Sequence, residues 1–229
     1  MKLKEALHSH VGNLHPLFIP DLIPENTLLL DFSIYNPEMK KMNFNNVELF
    51  NRYVFNKIKE SGKDYGYGGY MEDREIYRRS PLFAISPDEA RSIHLGVDVW
   101  VEAGKSIHCP MDARVHSFQD NDNYGDYGPT IILEHELSGN KFYTLYGHLT
   151  RESLKDMARK KIIKKGEVFC QVGNFPENGD WPPHLHFQLI NDLRGKQGDF
   201  PGVCNKIEKE AFRETCPDPL LFFSLGNHQ

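Results

Sequence analysis

The chain has 229 residues, of which 39% are hydrophobic and 26% are charged, a composition typical of globular proteins and unlike that of disordered ones. Its net charge of −5 gives no indication of nucleic acid or an anionic membrane surface as a partner. No stretch approaches the ~20 consecutive apolar residues of a transmembrane helix, so we expect no membrane-spanning segment.

Residues 1–80 are predicted to form a partly helical N-terminal extension. Helices are expected around Lys2–His8 and Val47–Ser61, the second because its apolar residues recur at helical spacing. The Gly/Tyr-rich stretch 64–70 is expected to be a loop, since glycine permits turns that other residues resist. This loop is either a linker or a rim of the cleft in the following domain.

The N-terminus does not show the pattern of a secretory signal. Such a signal needs a basic start followed by an apolar run of about 7–15 residues. The first four residues include two lysines, but the apolar stretch from Leu14 to Leu30 is broken by prolines and acidic residues. We therefore expect a cytoplasmic protein, or one exported by a route that the sequence does not show.

The cysteines agree with a reducing compartment. There are four of them, without a Cys-x-x-Cys pair, and they fit buried thiols: Cys109, Cys170, Cys204 and Cys216. A disulfide between Cys204 and Cys216 is the alternative.

Residues 81–190 are predicted to form a β-sheet domain. Short apolar or alternating segments are separated by Gly, Pro, Asn and Asp. Strands are expected near 94–102, 105–108, 112–120, 129–136, 140–148, 167–172 and 184–190, with a helix-like interruption at Ser153–Lys160. Many short strands favour an antiparallel sheet, so the expected fold class is mainly β (α+β).

Two of these predicted strands each place ionisable side chains on one face. Side chains alternate between the faces of a strand, so His94, Gly96 and Asp98 share one face, and His184 and His186 share a face of the other strand. Three ligands drawn from His and Asp, without a thiolate, suit a catalytic Zn²⁺ whose fourth position stays open for water. The pattern therefore predicts a metal site, with the missing side chain of Gly96 leaving room for the ion.

A third predicted strand contributes His148, which follows Phe142, Thr144 and Tyr146 at period 2 and is therefore expected on their face. His148 and His184 are the imidazoles available to take a proton from water or to stabilise a tetrahedral oxyanion. Either one is a candidate for the base and for the electrostatic stabiliser.

The three motifs together resemble a known family. His-Leu-Gly-Val-Asp at 94–98, Tyr-Gly-His-Leu at 146–149 and His-Leu-His at 184–186 match, in order and spacing, the M23 zinc metalloendopeptidases, the lysostaphin-like enzymes that cut peptidoglycan peptides. The resemblance runs from about Tyr70 to Leu189. It implies a sheet core with a groove flanked by loops.

Residue by residue, the resemblance also implies a site. His94, Asp98 and His186 would bind one Zn²⁺, and His148 and His184 would be the unligated catalytic histidines. Some family members carry a further stretch like 68–74, inside large multidomain proteins with kinase-like and aminotransferase-like parts. We expect Tyr70, Arg74 and Tyr146 to line the substrate groove.

Residues 191–229 are predicted to be a C-terminal extension that packs on the domain. The apolar run Leu220–Phe223 requires burial, because an exposed run would favour aggregation. Docking on the sheet after a helix-like segment, Lys206–Glu214, is the expected arrangement. A dimer contact is the competing explanation, and no oligomeric state is predicted.

The predicted function is that of a zinc-dependent metallopeptidase acting on peptidoglycan-type or Gly/D-amino-acid peptides. A catalytically idle module of the same fold that binds and regulates a partner is one alternative. A zinc amidase or carboxypeptidase acting on cell-wall peptides is another. Idle relatives commonly lack one or more ligands, whereas all five site residues are present here, which favours the enzyme.

Overall fold

A computed structural model describes residues 3–78, without the Arg78 side chain, and residues 90–225. The predicted boundary between residues 80 and 81 lies outside the described residues. Within them the helices are α1 (Leu3–His10), α2 (Val47–Glu60), α3 (Glu75–Arg78), α4 (Glu152–Lys155) and α5 (Lys209–Thr215). Their strands are β1 (Thr27–Leu29), β2 (Tyr65–Gly68), β3 (Ile93–His94), β4 (Val97–Trp100), β5 (Ser106–His108), β6 (Ala113–Asn121), β7 (Gly128–Leu137), β8 (Asn140–Gly147), β9 (Ile162–Ile163), β10 (Val168–Gln171), β11 (His184–Ile190) and β12 (Val203–Cys204).

The chain is mainly β, as predicted, and is organised around one large sheet. Over the described residues this sheet has the strand order β1-β2-β4-β11-β8-β7-β6-β9. Its pairs are antiparallel except for β1 and β2, which run parallel at one edge. In this register His186 of β11 lies between Asp98 of β4 and Gly147 of β8. Three neighbouring strands therefore meet at the predicted site.

The face of the sheet opposite this site is the hydrophobic core. Leu185, Phe187 and Leu189 alternate with the polar residues of β11 and are fully buried among apolar side chains. Removing apolar surface from water stabilises a fold by about 25 cal/mol per Å². The rings of Phe222 and Phe223 pack on Phe187, with centroids 5.3 and 5.7 Å away. The C-terminal segment thus covers this face of β11.

Two stretches differ from the predicted elements. The expected strand 94–102 is divided: β3 pairs with β12, whereas β4 joins the large sheet. The division follows from a bend at residues 95–96, where the Leu95 N–H donates to the Gly202 carbonyl. The Gly/Tyr stretch expected as a loop contains β2, because its place beside β4 buries all four of its residues despite the low strand propensity of the two glycines.

The four cysteines are free and buried. The alternative of a Cys204–Cys216 disulfide is therefore wrong for this structure. Within the described part of the chain, no helix is both long enough and apolar enough to cross a membrane.

His135 gives a prediction about stability and pH. His135 is 1% exposed, its ring stacks on Phe142, and its Nε2 forms a hydrogen bond of 2.7 Å with the Thr144 hydroxyl. Burial lowers the pKa of His135 to about 4, whereas an unfolded histidine titrates near 6.5. The folded protein thus favours the neutral ring. The contribution of His135 to the free energy of unfolding is therefore fully present above pH ~6.5 and is lost as the pH falls toward 4. We expect this loss to reach about 2–3 kcal/mol at pH 4.5.

Denaturant unfolding of zinc-free protein at pH 7.5 and 4.5 measures this loss, with His135→Gln as the comparison. The wild type is expected to lose more free energy of unfolding between the two pH values than the variant does. Equal losses in the two proteins would contradict the assignment to His135.

Candidate metal centre

Three potential ligand atoms converge on the polar face of the sheet. His94 Nε2 lies 2.9 Å from His186 Nδ1 and 3.4 Å from Asp98 Oδ1, and the last two atoms are 3.1 Å apart. All three residues are buried, with at most 2% of their surface exposed. A tetrahedral zinc ion with bonds of about 2.0–2.1 Å holds its ligand atoms about 3.3 Å apart. The donor set therefore fits one zinc ion.

Each of the two candidate ligand imidazoles forms a hydrogen bond through its other nitrogen. The Nδ1–H of His94 donates to the Gly69 carbonyl at 2.9 Å, and the Nε2–H of His186 donates to Gln188 Oε1 at 3.0 Å. Gln188 is itself held, because its amide donates to the Pro201 carbonyl. Such partners fix the tautomer and ring orientation of metal-binding histidines. They leave His94 Nε2 and His186 Nδ1 as the lone pairs that face the site.

The protonation states also suit a cation. Burial lowers the pKa of His94 to about 3, so this ring is neutral at pH 7. Burial disfavours the Asp98 carboxylate, but the positive charge of Arg74, which donates to Asp98, favours it, and the pKa of this carboxyl lies well below its usual range. Ligands must be deprotonated to bind a metal. Both of these groups are deprotonated at neutral pH.

Two further histidines lie beside these ligands. The Nδ1–H of His184 donates to the Pro182 carbonyl at 2.7 Å, and that of His148 donates to the Asn178 carbonyl at 2.8 Å. The two ring centroids are 4.2 Å apart, and His184 Nε2 is 3.9 Å from Asp98 Oδ1. Burial lowers the pKa of both rings. Each is therefore a neutral imidazole whose Nε2 is the nitrogen able to accept a proton.

His148 reaches the site by a backbone turn that the alternating pattern did not predict. It was expected on the face of Tyr146, but its φ of +62° turns the chain just after β8 and places its ring beside His184. Tyr146 is fully buried in the core, where it contacts Phe187. The prediction that Tyr146 lines the groove is therefore wrong.

The other two predicted groove residues, Tyr70 and Arg74, lie in different surroundings. The Tyr70 hydroxyl donates to the Cys216 carbonyl, and its side chain lines a different surface groove, which it shares with Phe223. Arg74 is 3% exposed and donates to Asp98, so its guanidinium is a partner of a proposed ligand. Arg74 also borders a small pocket that His148 and His184 line, so of these two residues only Tyr70 lies away from the histidines.

Position 96 requires glycine because its backbone lies close to the His186 ring and the Phe187 carbonyl. A Cβ atom at this position would lie 2.7 Å from Cε1 of the His186 ring and 2.7 Å from the Phe187 carbonyl oxygen. The sequence suggested that Gly96 makes room for the ion. The structure shows that it makes room for the imidazole of His186.

A cavity of about 310 Å³ opens beside the histidines. Its lining includes four aromatic residues that the sequence did not indicate: Tyr77, Tyr127, Trp181 and Phe200. Its charged lining residues are Arg91, Asp126, Lys196 and Asp199. Because these residues come from distant parts of the chain, no local motif indicated them.

Residues 92–199 match the model of peptidase family M23. This part of the chain belongs to that family. The resemblance drawn from the three motifs is thereby confirmed, and the five histidine and aspartate residues lie within the M23 segment. No curated protein matched the chain.

Solved structures similar to the chain include M23 peptidases. One is an M23 peptidase from Pseudomonas aeruginosa, 22% identical, with 58% of this chain and 45% of that chain covered and a TM-score of 0.38. Another is the catalytic domain of lysostaphin from Staphylococcus simulans, which is 17% identical. The match covers 71% of this chain and 97% of that chain, with a TM-score of 0.40. A zinc-containing peptidase from Vibrio cholerae is 19% identical. The match covers 54% of this chain and 33% of that chain, with a TM-score of 0.35. The chain thus spans less than half of the first structure's length.

Proposed function

We propose that this protein is a zinc-dependent peptidase that hydrolyses peptide bonds in peptidoglycan-type or Gly/D-amino-acid peptides. The observation that carries the proposal is the convergence of His94, Asp98 and His186 in a donor set that fits zinc. Two more imidazoles lie beside this set, as acid–base chemistry at a metal requires. The match of residues 92–199 to family M23 supports the same chemistry.

The hydrogen bonds of His148 and His184 determine which chemical role each ring can take. Zinc supplies Lewis acidity and lowers the pKa of bound water to about 7. His184 and His148, each held at Nδ1 by a backbone carbonyl, present Nε2 to accept a proton or, once protonated, to donate to the developing oxyanion. Their lowered pKa values keep both rings in the basic form at neutral pH.

The cavity beside the site supports a short peptide segment as substrate. Its volume of about 310 Å³ is at the lower end of the ~300–1,000 Å³ range of small-ligand pockets. The rings of Tyr77 and Trp181, both in its lining, contact each other edge to face with centroids 6.3 Å apart.

The test is hydrolysis by the zinc-loaded protein. Purified protein with one equivalent of zinc is incubated with muropeptides, short glycine peptides and an unrelated L-peptide, and the products are identified by mass spectrometry. We expect new termini from the first two classes, loss of cleavage with a chelator and recovery when zinc is restored. The control is Asp98→Asn, which keeps the side-chain volume and removes the charged ligand.

Two results would contradict the proposal. One is intact substrates throughout the panel with zinc-loaded wild type. The other is cleavage that is the same in the Asp98→Asn variant, since the proposed site would then not perform it.

A further inference from the structure

The segment that precedes the M23 match reaches into the metal centre. Residues 69–77 lie outside the matched range of 92–199. Even so, the Gly69 carbonyl accepts the Nδ1–H of His94, and the Arg74 guanidinium donates to Asp98. Two of the three proposed ligands are therefore held by groups from this segment.

Arg74 is a buried cation at this site. Its Nη1 lies 2.5 Å from Asp98 Oδ2, and its Nε lies 2.7 Å from Glu72 Oε2. The guanidinium also lies over the rings of Phe32 and Trp100, 5.8 and 5.7 Å from their centroids. A planar fork held by two carboxylates and two aromatic faces has little freedom to move.

The two oxygens of Asp98 therefore face different partners. Oδ2 accepts from Arg74, whereas Oδ1 lies 3.4 Å from His94 Nε2 and 3.1 Å from His186 Nδ1. A carboxylate fixed in this way offers one oxygen to a metal. Since residues beyond the ligands orient them and tune their affinity, the arrangement fits a role for Arg74 in metal binding.

We propose that Arg74, braced by Glu72, is a positioning residue that holds Asp98 with a single oxygen toward the zinc ion. The inference rests on the proposed zinc site. It makes the segment before residue 92 an integral part of the M23 metal centre in this chain.

Gly69 supports the same role independently. A Cβ atom at Gly69 would overlap Nη2 and the central carbon of the Arg74 guanidinium. Its backbone φ of +98° also favours glycine. The chain thus leaves space at this position for the guanidinium that contacts Asp98.

The experiment measures zinc affinity by competition with a chromophoric chelator, on zinc-free full-length protein. We expect Arg74→Gln to weaken zinc binding by about 10–100-fold, the usual effect of removing an outer-shell partner. Arg74→Lys keeps the charge but not the fork, so it should recover part of this loss. Glu72→Gln, which leaves the arginine in place without its brace, should give a smaller loss. Arg114→Gln, the same substitution at an exposed arginine of β6, is the matched control and should bind as wild type does.

A spectroscopic readout separates positioning from a general effect on folding. The visible absorption of the cobalt-substituted protein depends on coordination geometry, so it should change in Arg74→Gln and stay unchanged in Arg114→Gln. Wild-type zinc affinity and an unchanged cobalt spectrum in Arg74→Gln would overturn the proposal. Tighter zinc binding would also overturn it, because Arg74 would then compete with the metal. If Arg74→Gln does not fold, the lysine and Glu72→Gln variants decide, and wild-type affinity in both overturns the proposal.

The experiments can contradict the role of Arg74 and the peptidase function separately. A wild-type protein that binds zinc but cleaves no peptide would contradict the peptidase and leave the Arg74 result valid. A wild-type protein that binds no zinc would overturn both.

Discussion

Replacement of His186 with alanine is expected to abolish stoichiometric zinc binding. Its Nδ1 is one of three converging ligand atoms, and Gln188 holds the ring so that this nitrogen faces the site. Removing one ligand leaves two, which do not fix a tetrahedral ion. Loss of a mere outer-shell partner costs about 10–100-fold in affinity, so loss of the ligand should cost more than that. Elemental analysis after dialysis should find about one zinc per wild-type chain and almost none in the variant.

A second measurement checks the same result through stability. At a zinc concentration 100 times Kd, binding stabilises the native wild type by about 2.7 kcal/mol. The variant should show no increase in unfolding free energy with zinc. His116→Ala is the control. It removes a histidine that lies on β6, packs against Tyr143 and is not among the three converging residues. Normal zinc content in His186→Ala would remove the residue from the ligand set.

The part of the site that the sequence predicted correctly lies on regularly paired strands. In β11 the period of 2 places His184 and His186 on one face and Leu185 and Phe187 on the other. A strand paired on both sides cannot slip by one residue without moving its apolar set out of the core. Where pairing is regular, the alternation of residue types therefore determines which side chains face the site.

The incorrect predictions lie where the backbone departs from that regularity. The positive φ of His148 separates it from Tyr146, although the two residues are spaced as neighbours on one face. The two glycines of β2 have low strand propensity, and this segment forms a strand because it is buried between β1 and β4. The period-2 alternation of residue types along a sequence does not predict where the backbone turns or which strands become neighbours.

The hydrogen-bond partners of the histidines could not have been found from side-chain motifs. His94, His148 and His184 each donate to a backbone carbonyl, and a carbonyl has no residue identity in a sequence. Nothing local in the sequence indicated that Gln188 accepts from His186. The contact between Arg74 and Asp98 joins residues 24 positions apart and depends on the fold.

Replacement of His184 with alanine should leave zinc bound while reducing turnover by about 10²–10⁴-fold, the usual contribution of a general acid or base. His184 Nε2 is 3.9 Å from Asp98 Oδ1, and His184 is not one of the three converging ligands. The loss should appear in kcat more than in KM, because the ring acts on the reacting groups rather than on substrate binding. Steady-state kinetics on a peptide that the wild type cleaves, with zinc content measured on the same sample, give the result.

His184→Gln distinguishes the two roles that His184 can have. An amide donates hydrogen bonds but does not accept a proton at neutral pH, so it should recover part of the rate if His184 stabilises an oxyanion. If His184 is the base, the glutamine variant should be as slow as the alanine variant, and His148 would then be the stabiliser. Unaltered turnover in His184→Ala would exclude it from catalysis, and loss of zinc would place it among the ligands instead.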